Sequence, residues 1–320
     1  MSVVKLVQPA APALEQEIRA FTGRHTGKAF DWDAFPGSRG FPELERAQMR
    51  YIGGGGSPKT DDPKTLKADH FTLSLVNQPV GKYAPSHSHE VVEHFLVLQG
   101  VLTVGWVYGD KVIEAKLGPK DVVLNKSGRP HGFRNDGIEP VLMSITVGSG
   151  TPQPPVYVCH PKNKDADLAR RFGAGEGPGK VVEFDPTSSD PHQKDMAPYV
   201  MRYADRTPVW EKAGFARLAY IGEGGAPPQR YRMEMIHLPR GVGIQAYTRA
   251  VEDVYFVIEG NVTVGWEEDG EKVEQRLGTK DMQFNPAGRR HYFRNDGVTD
   301  AQFMMLVGTP DPETVEFKAA

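Results

Sequence analysis

Apolar and polar residues alternate in short runs along most of this chain, with glycine- or aspartate-bearing turns between the runs. HFTLSLV (70–76), VEHFLVLQ (92–99), VLTVGWVY (101–108), KVIEAKL (111–117), DVVLN (121–125) and VLMSITV (141–147) are rich in β-branched and aromatic side chains. Such side chains fit a pleated, half-buried surface, so each run predicts a strand. Gly100, Gly109-Asp110 and Gly118 supply the turns. Strands at this spacing predict an all-β sandwich or barrel. Ahead of them, Leu14, Ile18 and Phe21 share one face of a short helix, expected to pack against a barrel.

The pattern occurs twice. VLTVGW (101–106) returns as NVTVGW (261–266), GPKDVVLN (118–125) as GTKDMQFN (278–285), and FRNDG (133–137) unchanged at 293–297, all at an offset of 160. RYIGGGGSP (50–58) pairs with AYIGEGGAP (219–227) at an offset of 169, so the first copy carries an extra segment nearby, read as KTDDPKTLK (59–67). So long a period means a duplicated domain and not a solenoid. The expected division is an N-terminal arm (1–43), a first barrel (44–150), an ordered crossover rich in Pro, Gly and charge (151–212), a second barrel (213–312) and a tail (313–320).

Composition narrows the function classes. With 38 Lys plus Arg against 41 Asp plus Glu, the chain has a net charge of −3 and no basic excess to recruit nucleic acid or an anionic membrane. Arg289-Arg290 reads as a surface pair. The single cysteine, Cys159, rules out an intrachain disulfide and fits a reducing compartment. MSVVKLVQPAAPALEQEIRAF lacks the apolar stretch of a signal peptide, and no run of about 18 apolar residues occurs. A cytoplasmic protein without membrane or nucleic-acid partners is expected.

Candidate chemistry concentrates in GKYAPSHSHEVVEHFLVLQG (81–100). His87 and His89 are two apart and share a face on a strand. A bend or second strand returns Glu93 to that face, and His131, in GRPHGFRN, completes the set. Three imidazoles and one carboxylate suit a divalent transition metal. His94 points to the opposite face from Glu93, toward solvent or the other sheet. His70, His160, His192 and His237 lack partners at meaningful spacing and read as structural.

Residues 81–100 resemble the first motif of the cupin superfamily, G-x5-H-x-H-x3-E-x6-G, at Gly81, His87, His89, Glu93 and Gly100. Residues 120–135 resemble its second motif, G-x5-P-x-G-x2-H-x3-N, at Gly128, His131 and Asn135, departing at Lys120 and Lys126. The second copy keeps Gly241, Gly260 and His291 but carries Tyr247, Arg249 and Asp253 at the other ligand positions, and a guanidinium repels a cation. One metal per chain is therefore expected, in the first barrel only.

The resemblance implies two tandem conical antiparallel β-barrels (double-stranded β-helix, jelly-roll-like) with a short helical arm. Phe95, Val97 and Phe133 would wall a substrate pocket, and Arg129, with Arg134 and Lys126 nearby, would receive a substrate carboxylate. Four protein ligands would close tetrahedral zinc but leave positions open on Fe(II), which is favoured over Mn(II), Ni(II) or Cu(II). The activity implied is a dioxygenase that cleaves a C–C bond of a small aromatic or enolisable carbonyl substrate with O2, as in quercetinase-type and ring-cleaving cupins. Glu93 would act as ligand or general base. Gentisate-type enzymes usually lack the glutamate kept here as Glu93. Two-domain oxalate decarboxylases usually hold metal in both barrels, unlike the pattern at Tyr247 and Arg249. The alternatives are a non-oxidative decarboxylase or isomerase, or a non-catalytic small-molecule-binding protein. No basic helix-turn-helix pattern supports a DNA-reading sensor. Cupins commonly pair through sheet edges, so the resemblance also implies a homodimer.

Overall fold

The computed structural model describes residues 13–54 and 65–320, and most of KTDDPKTLK falls outside them. The strands expected from alternation form at Leu73–Gln78, Glu93–Gln99, Leu102–Tyr108, Lys111–Leu117, Val122–Asn125 and Val141–Val147. Each copy folds as two facing sheets, antiparallel except where Val181–Glu183 pairs parallel with Lys111–Leu117 at an edge of the first barrel. In the first barrel one sheet runs, in spatial order, through Val200–Met201, Val122–Asn125, Glu93–Gln99, Val141–Val147, Leu73–Gln78 and Ala47–Ile52. The facing sheet runs through Val156–Cys159, Tyr83–Ser88, His131–Arg134, Leu102–Tyr108, Lys111–Leu117 and Val181–Glu183. The crossover is thus more than a connection, because three of its segments extend the first barrel's sheets.

Period-two alternation sorts side chains between two cores. Phe95 and Val97 point into the first barrel, whereas Leu96 joins a cluster shared by both barrels, with Tyr51, Phe71, Tyr220, Met233 and Phe256. Both faces of this strand are dry, which explains its near-continuous apolar sequence. His94 follows Leu96 onto the shared face. It is fully buried, and its Nδ1 lies 2.8 Å from the Tyr231 hydroxyl, so it meets the second barrel and not solvent. Burial pushes its imidazole down to about 3.

The second barrel repeats the plan less completely. Residues 243–247, which correspond to the histidine-bearing strand Tyr83–Ser88, form only isolated bridges, Gly243 to Arg294 and Tyr247 to His291. The expected tail belongs to this barrel, since Phe317 is buried in its core and Ala319 bridges to Ile244. Lys120 and Lys280, at the position where the resembled family has glycine, both sit at positive φ (69° and 70°). Both copies therefore keep the left-handed turn that glycine adopts at less cost.

Each barrel is completed by the segment that precedes the other. The helix Leu14–Ala20 buries Leu14 and Ile18 against Trp266 and Val273 of the second barrel, and Thr22–Gly23 pairs with Met282 and Gln283 there. Correspondingly, Val200–Met201 pairs with Val122 and Val123 of the first barrel. Phe21 packs on Trp266 and Tyr199 on Trp106, both at 5.6 Å between ring centroids. The Tyr51 hydroxyl donates to Lys280 O (2.7 Å) and the Tyr220 hydroxyl to Lys120 O (2.6 Å). Emptying the Ile18 site should loosen the barrel that lies farther along the sequence. Ile18→Ala is expected to cost about 2–5 kcal/mol. Hydrogen exchange should accelerate in Val262–Glu268 and Glu271–Leu277 before it does in the first barrel.

Candidate metal centre

Three chain segments deliver the donor set to one end of the first barrel. His87 lies in the strand Tyr83–Ser88, where it pairs in register with His131 at the start of His131–Arg134. Glu93 opens the strand Glu93–Gln99, and His89 lies in the connection leading to it. All four side chains are buried, and one donor atom from each falls within 4.8 Å of the others. Opposite ligands of one ion with bonds of about 2.1 Å stand ~4.2 Å apart, so the set is close to coordinating size. It is the only such group of three or more His, Cys, Asp or Glu among the described residues.

Backbone carbonyls orient two of the rings. His87 Nδ1 lies 2.8 Å from Pro85 O, and His131 Nδ1 lies 2.8 Å from Arg129 O. Each Nδ1–H donates outward, which leaves the Nε2 lone pair for a ligand. His131 Nε2 is 3.0 Å from Glu93 Oε2, and His89 Nε2 is 3.7 Å from the same oxygen. His89 Nδ1 is buried without a partner. Burial works against the Glu93 charge, but the imidazoles of His89, His131 and His87 outweigh it and hold the carboxyl below its usual range. This electrostatic setting is one that a cation would complete.

The His87 imidazole is held well below its ordinary value of 6.5, by burial first and then by His131 and His89; His89 is lowered too, chiefly by burial. A lowered value keeps the ring neutral, and able to ligate, as pH falls. Metal retention is therefore expected to persist below pH ~6.5, the ordinary imidazole range, and to fail only in more acidic buffer. Metal content after dialysis across pH 8 to 4 checks this. Loss already complete at ~6.5 would mean solvated, ordinary rings.

A cavity of about 210 Å³ opens onto the donors, walled by Phe35, Val76, Phe133 and Ile145, with Arg46 and Tyr157 among its polar members. Of the pocket residues expected from sequence, Phe133 lines this cavity. Phe95 and Val97 lie in the fully buried core and are not among its lining residues; the Phe95 ring is 5.0 Å from Phe133 and 5.9 Å from His131. Arg129 lies elsewhere, donating to Asp195 (3.3 Å) and Val107 O. Lys126 also pairs with Asp195 (2.7 Å), and Arg134 with Glu114. The strand Ala47–Ile52 and the residue before it were not legible as part of a site. Arg46 comes from there, and no signal in the local sequence marks it.

At the corresponding place in the second barrel a guanidinium pairs with the carboxylate. Arg249 Nε (2.9 Å) and the Tyr247 hydroxyl (2.8 Å) both donate to Asp253 Oδ2, and His291 Nε2 lies 3.2 Å from Asp253 Oδ1. The Tyr247 and Tyr255 hydroxyls are 2.6 Å apart. The cluster contains its own cation.

A family model described as a cupin domain matches residues 74–148. No curated protein matches the chain. Among solved structures, the formate complex of the oxalate decarboxylase of Lactobacillus farciminis superposes with a TM-score of 0.66 at 13% identity, covering 92% of this chain and 88% of that one. A variant of the Bacillus subtilis oxalate decarboxylase gives 0.63 at 12% identity, over 99% and 89%. A further structure of that enzyme, described for its Mn(II) centres, gives 0.62 at 12% identity, also over 99% and 89%. No helix among the described residues is long and apolar enough to cross a membrane. Residues 74–148 are thus matched as a cupin domain, and the chain as a whole has the two-barrel fold of these solved structures.

Proposed function

We propose that this chain is a metal-dependent enzyme that breaks a C–C bond of a small molecule without consuming O2, most simply a decarboxylase. The observation that carries this reading is the His87/His89/Glu93/His131 set, three of whose members, His87, His89 and Glu93, line a cavity of only about 210 Å³. Sites for drug-sized ligands run to about 300–1,000 Å³, so polycyclic flavonols fit this cavity poorly and small acids fit it well. The fold neighbours reported above are oxalate decarboxylases, which favours non-oxidative chemistry over the dioxygenase reaction implied by the sequence motifs.

His87, His89, Glu93 and His131 would hold a divalent ion, manganese or iron, acting as Lewis acid on a substrate oxygen. Glu93 serves as ligand, because its charge is already engaged by the surrounding imidazoles. Phe35, Phe133 and Ile145 exclude water, which strengthens each electrostatic contact inside. Loss of CO2 leaves an electron pair on the substrate carbon, and a proton must return there. Tyr157 has the only hydroxyl among the described residues lining the cavity and is placed to supply that proton, its ring 5.9 Å from His87.

The test is release of CO2 from a panel of small keto and dicarboxylic acids by the manganese-loaded protein under strict anaerobiosis. O2 uptake with the same panel, or with phenols and diketones, in place of anaerobic CO2 release would overturn the reading in favour of an oxygenase.

A further inference from the structure

Arg46 stands at the cavity in an unusual electrical state. Its side chain is buried, 5% exposed, yet among the described residues no carboxylate pairs with it. Nη1 is anchored to Ser38 Oγ (2.9 Å) and Leu44 O (3.0 Å), and the guanidinium lies over the Phe35 ring at 4.2 Å. Nε is buried without an acceptor. Tyr157 is its remaining polar neighbour, and Glu93 acts on it only through space. A buried cation with no counter-charge is costly, and burial lowers the pKa of even this group. One edge of the guanidinium is thus held by the protein, and Arg46 lines the cavity with donor capacity left over at Nε. A carboxylate matches that geometry, because guanidinium donors lie in one plane at carboxylate spacing.

The duplicated barrel acts as an internal control. At the 169 offset Arg46 corresponds to Phe215, and at the 160 offset Tyr157 corresponds to Phe317. Phe215 packs on Phe317 (5.2 Å) and on Phe293 (5.4 Å), so apolar rings fill the equivalent space. The barrel lacking the donor set therefore also lacks the unpaired arginine and the phenol. Stability alone does not require Arg46 at this place in the fold, since phenylalanine serves its twin.

We infer that Arg46, steadied by Ser38, Leu44 and Phe35 and flanked by Tyr157, is a carboxylate-receiving group beside the metal donors, so that the ligand of this cavity is a small organic anion. This rests on reading the cavity as the substrate site and deepens that reading, because it supplies the charge of the substrate and the end by which it is held.

Calorimetric titration of manganese-loaded protein with malonate and acetate, and with acetamide as the uncharged control, tests it. Wild type should bind the acids in preference to the amide. Arg46→Gln should weaken malonate by at least about tenfold, a loss of ~1.4 kcal/mol, with acetamide binding and manganese content unchanged. Equal malonate binding by wild type and Arg46→Gln, or parallel loss of acetamide, overturns the inference. Should Arg46→Gln not fold, Arg46→Lys carries the test. It keeps the charge but not the planar fork, and it should still weaken malonate severalfold; unchanged affinity overturns the inference. Arg46-dependent malonate binding without CO2 release from any acid would retain this inference and sink the decarboxylase reading. Decarboxylation with malonate binding indifferent to Arg46 would do the reverse.

Discussion

His131→Ala, purified without chelators, is expected to carry essentially no divalent metal, whereas wild type and His291→Ala each carry about one ion per chain. His131 supplies an Nε2 fixed toward the centre by its Nδ1 contact with Arg129 O, and it also contacts the Glu93 carboxylate at 3.0 Å. Its removal deletes one of four donors and leaves Glu93, 5% exposed, short of a partner. Losing an outer-shell partner of a metal ligand already costs about 10–100-fold in affinity, so losing a ligand itself should exceed that range. His291 is the matching residue of the second barrel. Its Nδ1 also meets a backbone carbonyl, that of Arg289, but its Nε2 faces Asp253 in a cluster where Arg249 supplies the positive charge. Elemental analysis of the three proteins decides the matter. Two ions in wild type, or equal loss from both variants, would show that the second barrel also binds metal.

The other large effect is expected where no metal is involved. Asp253 is fully buried and accepts hydrogen bonds from Arg249 and Tyr247, with His291 close by. Asp253→Ala leaves the Arg249 guanidinium, 7% exposed, with the Glu313 carbonyl and the face of Tyr247 as its remaining contacts among the described residues. Breaking a buried ion pair from one side costs about 3–5 kcal/mol. Against a typical total stability of about 5–15 kcal/mol that is a large fraction. Denaturant melts should show the second barrel unfolding early while metal content stays at one per chain. A loss of less than ~1 kcal/mol would mean that water reaches the cluster and solvates the arginine.

The same physics explains what was readable beforehand. Strands such as Leu102–Tyr108 and Val141–Val147 bury apolar residues on a two-residue period, and the pattern survives in the sequence. Tyr83–Ser88 reads as polar YAPSHS, with a proline inside it, because its buried positions are occupied by chemistry instead of hydrocarbon. Ala47–Ile52 is buried throughout despite carrying Gln48 and Arg50. The four candidate donors were legible as a group because residues at fixed intervals constrain one another. Arg46 was not, since a lone arginine usually reads as surface, and it lies far in sequence from the histidines it accompanies. Proximity in sequence pointed to Arg129, Arg134 and Lys126, but carboxylates at Asp195 and Glu114 already engage those charges.

The exchange of leading segments between barrels has a consequence for biosynthesis. The residues from Leu14 to Gly23 leave the ribosome well before their docking site around Trp266, Val273 and Met282 is translated. The helix must therefore wait, with Leu14, Ile18 and Phe21 unsheltered, until the second barrel has emerged. A nascent chain halted after residue 150 would lack Val200–Met201 on one sheet and any seat for the helix. Such sequence-distant closure slows folding and prolongs exposure of apolar surface. Separately expressed halves should accordingly be sticky alone and recover solubility when made together.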